Sequence, residues 1–296
     1  MTNKSITLKR VLIYLFFAFI PPWIMQFIYI TLLGCDTNTK YYQIITSLSM
    51  LFPAAANIIT RLITKEGFHK SYLRVNLKGN VKYYILSLAV PACYAVLSAI
   101  ITIIFYMPSG TFSQLVRDID IIDIITIIIY LLTLSALCSL PALGEEFGWR
   151  GYLTPKLEQL TNTLPALLIS GIIWGLWHAP LTVIGHNFGT DYKFYPYMGI
   201  VLMCIFCTFI GSFLTYLTKK TGSVYPAALA HAANNNTVAT ITVSILMYCE
   251  IYTDEMAQSN DLLQGFVTGM TPVILLGLIT FVLIILNSRH KPNVSN

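Results

Sequence analysis

The chain of 296 residues is 56% hydrophobic and only 10% charged, with a formal net charge of +5. Soluble globular proteins carry about 25% charged residues, so the composition excludes an ordinary soluble domain. The positive charges follow a pattern that predicts membrane topology, and they do not indicate nucleic-acid binding.

Apolar runs of about 20 residues recur along the whole chain, and each is long enough to span a bilayer as a helix. They predict eight spans, at approximately 11–33, 41–60, 83–106, 121–144, 164–185, 197–217, 223–248 and 271–287. No soluble domain and no internal repeat is visible between them. The sequence therefore predicts one all-α domain over residues 1–296, a polytopic transmembrane helical bundle.

The distribution of Lys and Arg predicts the orientation of this bundle. If the N terminus is cytoplasmic, fifteen of the eighteen basic residues fall in the segments predicted to lie inside, which are 1–10, 61–82, 145–163, 218–222 and 288–296. Such an asymmetry predicts both termini in the cytoplasm. The basic residues from Arg61 to Lys82 are expected to meet anionic lipid headgroups. Cys35 and Cys249 both lie near the predicted outer face, and the sequence leaves open whether they form a disulfide.

Two adjacent carboxylates and an arginine follow the fourth predicted span, in the run Gly144-Glu145-Glu146-Phe147-Gly148-Trp149-Arg150-Gly151. Ionisable groups near hydrocarbon are costly and often mark a functional site, although span ends also carry ordinary charges. Four-residue spacing on a helix predicts an ion pair between Glu146 and Arg150. Glu145 points about 100° away and is predicted to be the working carboxylate. We expect this helix to continue to about Leu153, with a kink near Pro141.

Two histidines lie within later predicted spans. His178 follows Trp174 by four residues and His231 precedes Asn235 by four, so each pair shares one helix face. A single histidine of this kind is more often a packing residue than a catalytic one. Polar groups on three spans need partners, because unsatisfied polar groups in lipid are costly. Their joint occurrence favours one shared site.

These groups have the chemistry of a hydrolytic centre. Glu145 and His178 can share a water and remove its proton as it attacks a carbonyl. His231 and Asn235 can donate hydrogen bonds to the developing oxyanion. Glu145, His178 and His231 could instead bind zinc with one open position. The chain lacks a His-Glu-x-x-His helix, so a site without a metal or other cofactor is the main prediction and zinc the alternative.

The three motifs resemble those of the CPBP group of intramembrane proteases, also called the ABI or CAAX-protease-like family, and read Glu145-Glu146-x-x-x-Arg150, Trp174-x-x-x-His178 and His231-x-x-x-Asn235. The second motif of the family more often begins with Phe, so Trp174 is a departure. The motif-bearing core is about 121–248. By analogy with type II CAAX prenyl endopeptidases, the resemblance implies that Glu145 and His178 activate water and that His231 and Asn235 form the oxyanion site. Glu146, Arg150 and Trp174 would support them.

The resemblance also implies an eight-span protein of the cell membrane whose site opens to the cytosol and the inner leaflet. Its partners would be membrane lipids and a peptide or lipid-modified protein substrate. Family members include processing enzymes for prenylated proteins, maturation enzymes for secreted peptides and bacteriocin self-immunity proteins. A non-enzymatic immunity or peptide-binding protein is therefore an alternative. A transporter is another, although no repeat or pair of broken helices supports it.

Overall fold

The computed structural model describes residues 3–34, 36–106, 121–190, 192–248 and 271–289. These residues form helices and contain no strand, which confirms the all-α prediction for this part of the chain. Cys35 and Cys249 lie outside it. The helices are α1 (Asn3–Leu33), α2 (Lys40–Ser49), α3 (Phe52–Ile63), α4 (Val81–Tyr106), α5 (Ile121–Leu137), α6 (Ser139–Gly148), α7 (Thr154–Leu160), α8 (Thr163–Trp177), α9 (Ala179–Thr182), α10 (Tyr197–Thr221), α11 (Tyr225–Tyr248) and α12 (Thr271–Arg289), with a π-helical turn at Trp149–Leu153.

Within the described residues, four helical stretches are long and apolar enough to cross a membrane, namely Asn3–Leu33, Lys40–Ile63, Val81–Ile101 and Tyr197–Thr221. Shorter apolar helices occupy Thr163–Trp177 and Pro272–Leu286. Many large apolar side chains face outward, and Leu32 and Leu137 are 76% and 72% exposed. Apolar exteriors of this extent suit lipid rather than water. The chain is therefore described as an integral membrane protein, whereas the count of eight spans and the cytoplasmic termini stay predictions.

The fourth predicted span is interrupted just before Pro141. Helix α5 ends at Leu137 and α6 begins at Ser139, with Cys138 between them in a turn. This interruption lies within three residues of Pro141, so the predicted kink is confirmed. It separates the apolar α5 from the shorter helix that carries Glu145 and Glu146.

The predicted end of this helix at Leu153 is wrong. A π-helical turn occupies Trp149–Leu153, and α7 continues from it to Leu160. Pro155 does not end the helical path because it lies in the first turn of α7, where its missing N–H is not needed. Short π-helical turns often occur at functional sites. Here the turn carries Arg150.

The fifth predicted span, 164–185, also breaks. Helix α8 ends at Trp177, His178 caps it, and the single-turn helix α9 follows. Pro180 supplies a reason, since it has no N–H with which to continue the α-helical ladder. The sequence had predicted that His178 lies inside a continuous span. That prediction is wrong, because His178 lies at a helix end.

Helix α8 packs very closely against α10. A Cβ added at Gly171 would lie 2.3 Å from the Cα of Thr208, and one added at Gly175 would lie 2.4 Å from the Cα of Cys204. No side chain larger than hydrogen fits either position. The glycines thus set the distance at which α8 presents Trp174 and His178 to the rest of the bundle.

Helix α1 supports the same region from the other side. The ring of Tyr14 lies 5.9 Å from that of Trp149 in an edge-to-face arrangement. The indole of Trp177 donates to the carbonyl of Ala18 at 2.9 Å, and the indole of Trp23 donates to the carbonyl of Trp177 at 3.0 Å. The end of α8 is therefore tied to α1 by two buried or half-buried indoles.

Candidate active site

Two indoles hold the carboxylate of Glu145, which is only 2% exposed. Its Oε2 accepts a hydrogen bond of 3.2 Å from Nε1 of Trp149 and one of 2.6 Å from Nε1 of Trp174. Charge-assisted bonds of this kind offset part of the cost of burying a carboxylate. Trp149 was missed by the sequence analysis, although its spacing of four from Glu145 is the same signal that identified Arg150.

The ion pair predicted between Glu146 and Arg150 is present. Nη1 of Arg150 lies 3.0 Å from Oε1 of Glu146, and both side chains are buried. The same oxygen also accepts from Nδ1 of His231 at 2.9 Å. Glu146 is therefore more than a partner for the arginine, because it also orients the first residue of the third motif.

The guanidinium of Arg150 lies over the ring of Trp174, 4.1 Å from its centroid, in a cation–π contact. Its Nη2 lies against α10, where a Cβ added at Gly211 would be 2.7 Å from it. The arginine is thus fixed by a carboxylate, an aromatic face and the backbone of α10.

His178 is buried and is held in one tautomer. Its Nδ1 lies 2.8 Å from the carbonyl oxygen of Trp174. A carbonyl only accepts hydrogen bonds, so Nδ1 carries the proton. In the neutral ring, Nε2 then keeps its lone pair and can accept a proton.

A further histidine, His186, lies beside His178. The two rings are nearly parallel, with an angle of 9° between their planes and 6.1 Å between their centroids. Nδ1 of His186 lies 2.5 Å from the hydroxyl of Tyr42 on α2. The sequence analysis identified neither His186 nor Tyr42, because neither belongs to a motif and their contact joins distant segments.

Trp174 is the common neighbour of Glu145, His178 and His231. Its ring lies 5.3 Å from that of His231 and 5.9 Å from that of His178, and its indole binds Glu145. Asn235 is exposed, and its Oδ1 accepts from Nδ2 of Asn234 at 3.0 Å. In the part of the chain that the structure describes, Asn235 makes no hydrogen bond to Glu145, Glu146 or either motif histidine.

The described residues do not form a ligand set for the zinc alternative. Among the described residues, no group of three or more His, Cys, Asp or Glu side chains is placed to hold a metal ion. Nδ1 of His231 is bonded to Glu146 and Nδ1 of His178 to a backbone carbonyl. Each imidazole would therefore have only Nε2 to offer to a metal.

Comparison with known proteins agrees with the motifs. Residues 126–237 match the family model described as Type II CAAX prenyl endopeptidase Rce1-like. A curated relative, CAAX prenyl protease 2 of Methanococcus maripaludis, is 38% identical over 52 residues. That alignment covers 18% of this chain and spans about a fifth (19%) of the length of the relative. The family match includes all three motifs, so the resemblance is confirmed over that segment.

Proposed function

We propose that this chain is an intramembrane endopeptidase that hydrolyses a peptide bond in a membrane-associated peptide or lipid-modified protein. One observation carries the proposal: Glu145 and His178 are both anchored on Trp174, the first by its indole N–H and the second by its carbonyl. A buried carboxylate and an unprotonated imidazole nitrogen, fixed to one residue, are groups that can deprotonate water.

In the first step, a water held by Glu145 and His178 attacks the scissile carbonyl carbon. Both indole bonds to Glu145 go to Oε2, which leaves Oε1 to accept the proton of the water. A carbon–oxygen bond forms, the carbonyl electron pair moves to its oxygen, and a tetrahedral oxyanion results. No side-chain nucleophile takes part.

His231 and Asn235 stabilise the oxyanion. Because Nδ1 of His231 donates to Glu146, its Nε2 can donate to the substrate only in the imidazolium form. That form balances the buried charge, since two glutamates otherwise face one arginine. Asn235 adds its Nδ2–H. Each such donor typically contributes about 3–4 kcal/mol to the stability of the transition state.

The intermediate collapses when its carbon–nitrogen bond breaks. The proton taken from water passes to the leaving nitrogen, which departs as an amine, and the other product is a carboxylic acid that ionises. Glu145 and His178 return to their starting states. We also propose, because of the resemblance to the family, that the protein lies in the cell membrane and that this site faces the cytosol and the inner leaflet.

The test compares peptides in membranes that contain the wild-type protein or Glu145→Gln at equal abundance. Mass spectrometry should find cleavage products only with the wild type, and a purified sample should regenerate them from the synthetic parent peptide. Each peptide is offered with and without a prenyl group, so that the substrate class is measured directly. Identical peptide sets from both proteins would contradict hydrolysis and favour a non-enzymatic binding or immunity role.

A further inference from the structure

A row of hydrogen bonds connects α4 to the third motif on α11. The hydroxyl of Tyr94 donates to Oδ1 of Asn234, and Nδ2 of Asn234 donates to Oδ1 of Asn235. Tyr94 is buried, at 5% exposed, and Asn234 is half-buried. The row therefore starts inside the contact between α4 and α11 and ends at the motif asparagine.

This row fixes which end of the Asn235 amide is available. An asparagine amide has an acceptor end and a donor end, and rotation about its last torsion interchanges them at little cost. With Oδ1 occupied by Asn234, the amide is held so that Nδ2 is left to donate. Asn235 shares a helix face with His231, because the two are four residues apart. An oxyanion there needs the N–H end, since the carbonyl end would repel it.

The next asparagine, Asn236, makes a hydrogen bond of a different kind. Nδ2 of Asn236 donates to the carbonyl of Ala232 in its own helix, at 2.7 Å. Asn234 instead bridges two other side chains. Three consecutive asparagines thus have different hydrogen-bond partners. Tyr94 also lies outside the segment 126–237 that matches the protease family.

We propose that Tyr94 and Asn234 are positioning residues that orient the Asn235 amide for oxyanion stabilisation. The inference rests on the proposed function, because it assigns a task within the same reaction. It adds two residues that the motifs do not contain, and it makes helix α4 a contributor to the site. Neither residue touches the reacting atoms, and both act through Asn235.

A double-mutant cycle between Tyr94→Phe and Asn235→Ala tests the inference in the purified full-length protein. Tyr94→Phe keeps the ring and removes one hydroxyl, so kcat should fall about threefold to tenfold, as expected for one hydrogen bond, with KM unchanged. In the Asn235→Ala background the same substitution should have no further effect. Asn234→Asp should also lower kcat, because a carboxylate accepts from Tyr94 and cannot donate to Asn235.

Tyr84→Phe is the matched control, since Tyr84 also lies on α4 and its hydroxyl bonds to the carbonyl of Val75. It should leave kcat unchanged. Multiplicative losses in the double variant, or a kcat unaffected by both Tyr94→Phe and Asn234→Asp, would overturn the inference and leave the endopeptidase activity standing. If cleavage by the wild type does not depend on Glu145, the proposed function itself fails.

Discussion

The indole Nε1 of Trp174 donates a hydrogen bond of 2.6 Å to Oε2 of Glu145, and so joins α8 to α6 at the buried carboxylate. The protease family more often has Phe at this position, which offers no N–H. In this chain the departure from the motif thus adds a donor to the candidate catalytic group.

Trp174→Phe should lower kcat by about tenfold to a hundredfold, because a hydrogen bond to a charged group contributes about 1.5–3 kcal/mol. The aromatic face beneath Arg150 would remain. Tyr84→Phe is a suitable control, since the Tyr84 hydroxyl bonds to the carbonyl of Val75 and not to Glu145. Steady-state kinetics decide the matter, and equal kcat for the two variants would contradict a role for the Trp174 indole.

The two glutamates should respond differently to amide substitution. Glu145→Gln should abolish cleavage while the protein still accumulates, because it removes the base and retains the size of the side chain. Glu146→Gln should reduce abundance as well as activity, since it leaves both Arg150 and His231 without their carboxylate; breaking a buried ion pair costs about 3–5 kcal/mol. Quantitative blotting together with kinetics separates the two effects. Full loss of activity at normal abundance for both variants would refute the distinction.

Much of this arrangement is predictable from local spacing. Four-residue spacing identified the Glu146–Arg150 pair, and hydropathy identified the all-α class, because both depend on residues close in sequence. The same spacing could have identified Trp149. The contact between Trp174 and Glu145 was not predictable, because it depends on how α6 and α8 pack. The break at His178 was missed because the apolar run continues past Pro180 without a change in composition.

Asn57 should be important for stability. Its Nδ2 donates to the carbonyl of Phe147 at 2.8 Å, just before the π-helical turn, and its Oδ1 accepts from Nε of Arg61 at 2.7 Å. Asn57→Leu would leave buried polar groups unpaired and should cost about 2–3 kcal/mol of folding free energy. Thermal unfolding in detergent measures this. Thr60→Val, which removes only a bond within α3, is the control and should change the unfolding temperature much less.

A cluster around Glu66 predicts how stability depends on pH. Burial alone would raise the pKa of the Glu66 carboxyl, but hydrogen bonding and charge from Lys156, with the charge of Arg10, outweigh it and hold the pKa below its ordinary value of 4.5. A carboxyl with a lowered pKa in the folded state stabilises the fold above that ordinary value, and the contribution is lost as the pH falls through the lowered pKa.

As the pH falls below about 5 and through the lowered pKa of Glu66, the unfolding temperature should therefore decrease more steeply in the wild type than in Glu66→Gln. Glu158→Gln is the matched control, because Glu158 pairs with the more exposed Lys219. If the unfolding temperature depends on pH in the same way in the wild type and in Glu66→Gln, the Glu66 carboxylate does not contribute to this pH dependence.

Direct activation of water predicts that activity persists after exhaustive chelation of the purified protein. His231→Ala should lower turnover by about 10²–10³ without releasing a metal, as expected for the loss of an oxyanion donor. Elemental analysis before and after the substitution provides the check. Activity that is lost with the chelator, restored by zinc and accompanied by one equivalent of zinc would instead identify a metalloprotease.

The bond from His178 to the carbonyl of Trp174 attaches this candidate catalytic residue to the last turn of its own helix. That turn is where a helix frays first, and here two indole bonds to α1 oppose fraying. Local opening of this turn would move the imidazole and release the Trp174 carbonyl together. The proposed cleavage activity should therefore decrease when hydrogen exchange at the end of α8 becomes faster, even under conditions in which the rest of the protein stays folded.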